Sequence, residues 1–200
     1  MARPREFDQK AVLDKALDLF WSKGFERTSI QDLVEHTGVH RGSLYDTFGD
    51  KNQLFLMCLD RFHNLYKDQV FLILEESGEP KEILERFFTE LIDIAMSNEK
   101  QRRGCFIANT AMELGSFNLI ISSRIEAYTI EMETHFFNFL QRAQQAGVIN
   151  NNLSVRELAR FLVNTRHGLF VLAKTATDRK VLEDVCKVAM SVIMHKKNNS

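Results

Sequence analysis

The chain of 200 residues reads as an all-α protein: an N-terminal three-helix unit containing a helix-turn-helix, then a six-helix C-terminal unit. Three observations predict this class. Apolar residues recur every three or four positions, and no stretch alternates apolar and polar residues for long. Only two prolines occur, Pro4 and Pro80, while glycines and capping residues fall at the ends of the apolar runs. Hydrophobic residues make up 44% of the chain, and its aromatic side chains are mostly phenylalanine (16 Phe against 3 Tyr and 1 Trp), which supplies a continuous core.

The elements follow in order. Leu13, Leu17, Phe20 and Trp21 mark a first helix over residues 7–22, stopped by Gly24. Thr28-Ser29-Ile30-Gln31 has the form of a capping box, with Thr28 as the cap, and opens a second helix that runs to His36 and closes at Gly38. A third, short helix opens with His40, Arg41, Gly42 and Ser43 and ends at Phe48-Gly49. Asp50-Lys51-Asn52-Gln53 is a second capping box, starting a long helix through Leu54, Phe55, Leu59 and Phe62 to Leu74. Ser77-Gly78-Glu79-Pro80 breaks it.

Beyond Pro80 the helices become longer and more apolar. Residues 81–97 carry Ile83, Leu84, Phe87, Phe88 and Leu91 on one side; a shorter helix runs from Gly104-Cys105 to Leu114-Gly115. Residues 118–146 carry Ile121, Ile125, Tyr128, Met132, Phe136, Phe139 and Ala143 along one face, and residues 155–176 and 179–195 form the last two helices. The expected organisation is a first domain over residues 1–50 and a second over 51–200.

Composition excludes several classes. No run approaches the length of a membrane span, the N-terminal MARPREFDQK is too polar for a secretory leader, and three widely separated cysteines suit free thiols in a reducing compartment. The chain therefore reads as cytoplasmic. It has no G-x-S-x-G, H-E-x-x-H, phosphate-cradling glycine loop or C-x-x-C pair, so neither an enzyme nor a cofactor is expected. His36 and His40 are four apart, but Gly38 interrupts their helix and no third ligand is evident, so no metal is expected either.

The net charge of −1 announces no nucleic acid, so that reading rests on local placement of charge. The third helix opens with weak helix formers, since glycine inside a helix costs about 1 kcal/mol relative to alanine. A slim, electropositive helix start is what entry into a major groove requires, because the N-terminal residues of a recognition helix meet base edges there. Gly42 and Ser43 remove bulk, Arg41 can pair bidentately with a guanine or a phosphate, and Tyr45 reaches a phosphate or a thymine methyl one turn later. Lys51 is placed for a phosphate, and Arg3 and Arg5 form an arm suited to the minor groove.

The stretch FERTSIQDLVEHTGVHRGSLYDTFGDKNQLF resembles the DNA-binding domain of the TetR family of bacterial transcriptional regulators over residues 7–56. The resemblance implies a repressor acting as a dimer on a palindromic operator and released by a small molecule. It implies phosphate or groove contacts from Thr28, Ser29, His40, Ser43, Tyr45, Thr47 and Lys51, with Arg41 and Gly42 at base edges. His40 stands where the family usually has serine, and Thr47 replaces a common aromatic or histidine. A homodimer is expected through residues 155–195. Leu158, Leu162, Thr165, Leu169, Leu172 and Ala176 repeat as a seam, and Val181, Val185, Val188 and Val192 form one stripe beside a second of Leu182, Cys186, Ala189 and Ile193.

A pocket for the unknown small-molecule effector is expected among the central helices, with Phe87, Phe88, Leu91, Phe106, Asn109, Met112, Glu113, Tyr128, Met132, Phe136, His167 and Phe170 as its candidate lining. Thr110, Asn164 and Arg166 are further polar groups there. Cys105 is a candidate redox or electrophile sensor: it opens a helix directly after Arg102 and Arg103, and both the dipole and the cations favour thiolate. Some TetR-like sensors of electrophiles or oxidants resemble this chain in a Gly-Cys pair at the corresponding helix start. The rival reading is a helix-turn-helix that binds protein rather than duplex DNA.

Overall fold

The computed structural model describes residues 7–97, 103–149 and 153–194. Among these residues the nine expected helices all form: α1 (Gln9–Lys23), α2 (Ile30–Thr37), α3 (Arg41–Phe48), α4 (Lys51–Val70), α5 (Pro80–Met96), α6 (Phe106–Leu114), α7 (Leu119–Gln145), α8 (Val155–Ala173) and α9 (Arg179–Ile193). The expected fourth helix is shorter than its apolar run. It ends at Val70, and residues Phe71–Glu75 tighten into a 3-10 turn. Three residues per turn bring Phe71 and Leu74 to one side, and both are buried.

The caps explain where the short helices start. The α2 cap is Ser29 rather than Thr28, and its box partner is Asp32 rather than Gln31. The Ser29 hydroxyl accepts from Asp32 N at 3.0 Å, and the Asp32 carboxylate accepts from Ser29 N at 2.8 Å. Asp50 caps α4 by accepting from Gln53 N at 2.8 Å. Gly38, with φ 76°, supplies the left-handed residue that turns α2 into α3, a conformation that favours glycine. The buried Thr37 hydroxyl then accepts from Val39 N at 3.2 Å.

Helix α1 packs against α2 and α4, and α2 against α3; α4 runs on to meet α5 and α6, and α7, α8, α5 and α9 complete the bundle. One core connects Val12 in α1 with Ile193 in α9. Its hinge is a set of edge-to-face aromatic rings. Phe55 of α4 lies 4.9 Å from Phe20 of α1 and 5.4 Å from Phe106 of α6, and Phe62 lies 5.1 Å from Trp21 and 5.7 Å from Phe106. Each such pair contributes about 0.5–1.5 kcal/mol beyond its burial, so the rings tie α1, α4 and α6 together.

The expected α8 seam is corrected. Leu158, Leu162, Thr165 and Leu169 are buried in the protomer's own core, while Phe161, Val171 and Leu172 face outward. On α9 the two stripes divide except at Val185, which is half-buried against the core. Leu182, Cys186, Ala189 and Ile193 are buried, whereas Val181, Val188 and Val192 are exposed. No described helix is long and apolar enough to cross a membrane.

Candidate nucleic-acid interface

Leu44 and Phe48, one turn apart, bury the inner side of α3, and this rotation decides what the helix shows to solvent. His40, Arg41, Gly42 and Asp46 are exposed; Ser43, Tyr45 and Thr47 are half-buried along the flanks. The α3 cap residue, His40, makes no side-chain bond to the first-turn N–H groups, unlike the caps of α1, α2 and α4. Those amides are therefore free for an anion, and the helix dipole favours one there. The Arg41 guanidinium lies 5.2 Å from the Tyr45 ring centroid, a stacking that orders a long side chain at the helix tip. Open space surrounds the position where a Gly42 Cβ would sit.

Several expected contacts are placed differently. Thr28 is fully buried and donates its hydroxyl to Gly24 O at 2.6 Å, so it cannot touch DNA; it ties the end of α1 to the start of α2. Ser29 is exposed, but its hydroxyl is engaged by Asp32, whose carboxyl Lys23 at 2.6 Å and Ser29 hold well below the usual carboxylate range. The Lys51 ammonium is drawn back over the Phe25 ring, 4.2 Å from its centroid, and burial lowers its pKa from the ordinary lysine value. Arg3, Arg5 and Arg102 lie outside the described residues. His36 sits 3.4 Å from Asp18.

The helix-turn-helix is held from below by α6. Glu113, expected in a ligand pocket, instead accepts from Phe25 N at 3.1 Å and Glu26 N at 3.0 Å in the loop leading into α2. At the other end of α6, Trp21 Nε1 donates to Gly104 O at 3.1 Å and Arg103 pairs with Asp18 at 2.6 Å. Asn109 is also structural: its amide donates to Arg103 O at 2.6 Å, and Lys174 donates to its oxygen at 3.2 Å. Met112 is 66% exposed and lines no interior space. The spacing of Glu113 from the helix-turn-helix carried no signal, because 87 residues separate the partners in sequence.

Much of the expected pocket lining packs side chain against side chain. Phe87, Leu91, Phe106, Met132, Phe136 and Phe170 are buried against one another or their neighbours, with Phe87 and Phe136 5.3 Å apart edge to face. Tyr128 stacks on His63 at 4.2 Å and donates its hydroxyl to Asp60. His167 has its Nδ1 buried without a partner; burial and the neighbouring Arg166 push its pKa down to about 4. A cleft of about 880 Å³ opens elsewhere, between α5 and α9, and of the expected lining only Phe88 reaches it; Ile92, Val148, Cys186, Met190 and Met194 supply the rest of its apolar wall.

Cys105 is the cap residue of α6 and 1% exposed. The cation beside it is not Arg103, which is turned onto Asp18, but Arg166 of α8, whose Nη1 lies 3.9 Å from Sγ. Cys58 and Cys186 are buried thiols, and burial pushes both upward, Cys186 to about 12. Arg166 was readable only as a polar group among the central helices. The stronger signal was its register, four residues after Leu162 and four before Phe170 on the buried stripe.

Comparison with known proteins decides what these helices are. Residues 12–58 match the model of bacterial regulatory proteins of the tetR family, and residues 80–189 match the tetracyclin repressor-like C-terminal domain. The chain belongs to the TetR family. It is 34% identical to the HTH-type transcriptional regulator YezE of Bacillus subtilis (strain 168), over 96% of this chain and all of that protein. It is 31% identical to the HTH-type transcriptional repressor ComR of Escherichia coli (strain K12), over 92% and 87% of the two. A cysteine mutant of the TetR family regulator CifR, solved with 26-bp double-strand operator DNA, superposes with TM-score 0.84 at 25% identity, covering 96% of this chain and 100% of that one. This chain is accordingly a DNA-binding transcriptional regulator of a family that works as dimers.

Proposed function

We propose that the chain is a cytoplasmic repressor without enzymatic activity that binds a palindromic operator as a homodimer and is released through Cys105 or a small molecule. Residues 1–50 read the DNA and residues 51–200 regulate and dimerise. The observation that carries this reading is the α3 tip: an uncapped, exposed helix start bearing Arg41 and Gly42, with Leu44 and Phe48 anchoring the opposite side. Arg41 and the first-turn amides meet base edges and phosphates, with Ser43, Tyr45 and Thr47 along the groove wall. The exposed Val181, Val188 and Val192 of α9, with Phe161, Val171 and Leu172 of α8, form the surface that a second copy covers.

Release follows from the attachment of α6. Cys105 starts α6, and Glu113 at its far end holds the loop before α2. A change at Cys105 that shifts α6 pulls that loop and alters the spacing of the two recognition helices, the quantity a palindromic site measures. Selection of duplexes from random DNA tests the whole reading. It is expected to yield a palindrome whose affinity falls steeply with salt and falls again when Cys105 is alkylated. A bound protein partner and no duplex would favour the interaction-module reading instead.

A further inference from the structure

The cleft of about 880 Å³ between α5 and α9 falls within the size of small-molecule sites, about 300–1,000 Å³, and touches neither Cys105 nor the DNA-reading helices. Its two walls run antiparallel, because Arg179 at the start of α9 pairs with Asp93 near the end of α5 at 2.5 Å. From that pair to Met194 the trough is about 20 Å long, by the 1.5 Å rise per residue. Val148 and the backbone bridge between Ile149 and Met194 bound its far end. The floor is apolar: Phe88, Ile92 and Cys186 are buried, and Met190 and Met194 are unbranched side chains that adapt to what they cover. The outward valines of α9 do not border it. At 3.6 residues per turn, Val181, Val188 and Val192 fall on the opposite flank of the helix from Lys187, Met190 and Met194. The segments outside the described residues, MARPRE, NEKQR, NNN and HKKNNS, contain no Val, Leu, Ile or Phe to lay in an apolar trough.

We propose that this cleft is a binding site for an uncharged, elongated apolar molecule that carries a hydroxyl group, of the chemical class of a long-chain alcohol. The rim argues for the absence of charge. It bears both signs on both sides: Glu79, Lys81 and Glu85 on the α5 side, Glu183 and Lys187 on α9. Lys81 already pairs with Glu85 at 3.7 Å, and Arg179 with Glu183 at 2.8 Å. A charged head of either sign therefore meets a like charge on each wall, and it loses hydration over an apolar floor. Thr89 on α5 and Ser191 on α9 supply the polar contacts. Their hydroxyls donate to Glu85 O at 2.9 Å and Val188 O at 2.7 Å, so the protons are committed and each oxygen is left to accept. The matching group on a ligand is a hydroxyl donor.

The site goes beyond operator recognition and rests on the repressor reading only for what occupancy does to DNA binding. The connection is short. Phe87, next to Phe88 on α5, has its ring centroid 6.1 Å from that of Phe71, in the turn that ends α4.

The test is an NMR titration of the full-length protein, methyl-labelled at methionine, with decanol, decyl methyl ether, decanoate and decylammonium. Decanol is expected to shift the Met190 and Met194 methyl signals saturably and to leave those of Met57 and Met112, outside the cleft, in place. The ether, which cannot donate, binds about fivefold more weakly, the worth of about one hydrogen bond. Decanoate and decylammonium each bind at least about tenfold more weakly. Ser191→Trp and Thr89→Trp, at exposed rim positions on opposite walls, fill the trough and abolish the shifts without disturbing the core. The wild-type series decides independently of either variant. No saturable shift at Met190 and Met194, or equal affinity for decanol, its ether and its charged analogues, overturns the proposal. So does binding that survives both tryptophan variants. Binding that leaves duplex affinity unchanged supports the site and removes only a part in release, while loss of duplex binding by Arg41→Glu with decanol binding intact separates the two readings.

Discussion

At Gly42 two demands on one position point in opposite directions. A helix interior prefers alanine by about 1 kcal/mol, and a Cβ there would meet open space. Gly42→Ala is therefore expected to raise stability by up to about 1 kcal/mol in urea unfolding while weakening duplex binding, because the added methyl lies on the groove-facing side. Unchanged affinity would mean that the tip does not approach DNA closely. His167 carries a second prediction. Its folded pKa, about 4, lies below the ordinary histidine value of about 6.5, so between those values the unfolded chain binds a proton that the folded chain refuses. Stability supplied by the neutral ring is present above about pH 6.5 and drains away as pH falls through the folded value, by up to about 3 kcal/mol. His167→Gln is expected to flatten this part of the profile of urea midpoint against pH; an unchanged slope would place the loss elsewhere.

Among the elements, α6 has the most to do for its length. It is nine residues long, yet its two ends hold α1 and the loop into α2. Removing the carboxylate in Glu113→Ala leaves two backbone N–H groups without their partner and is expected to cost about 1–3 kcal/mol. The same variant is expected to bind duplex more weakly and to lose its response to Cys105 alkylation; an intact response would route the signal through α4 alone. The helices themselves were legible in the sequence because periodicity and breakers are local: Gly24, Gly38, Pro80 and Gly115 mark the ends that form. The inward turn of Thr28 was not, since Thr28 and Ser29 are equally good caps by type and only packing chooses between them. Nor were the tasks of Glu113 and Arg166. Each depends on a partner more than sixty residues away, and phenylalanines at helical spacing read the same whether they line a pocket or fill a core, as Phe87 and Phe136 do.

For the whole molecule, recognition and assembly have to act together, because one recognition helix reads too few base pairs and a palindrome needs two at fixed spacing. In the proposed dimer the outward valines of α9 are the means of setting that spacing. Val188 is 61% exposed, so Val188→Asp leaves the protomer core intact and is expected to give a folded monomer by sedimentation, with operator affinity reduced at least about tenfold. A dimer that survives this change would put the interface on another surface. In the proposed reading DNA recognition rests in turn on a narrow, positively charged start to α3 whose cap residue makes no side-chain bond to it. Titration of a fluorescent palindromic duplex, selected with the wild-type chain, into wild type and Arg41→Glu at several salt concentrations measures this directly. Arg41 is exposed and makes only a stacking contact with Tyr45, so the variant is expected to stay folded while losing at least about 1–3 kcal/mol of binding and part of the salt dependence. Equal affinity and equal salt slopes for the two proteins would contradict the assignment of α3 as the DNA-reading helix.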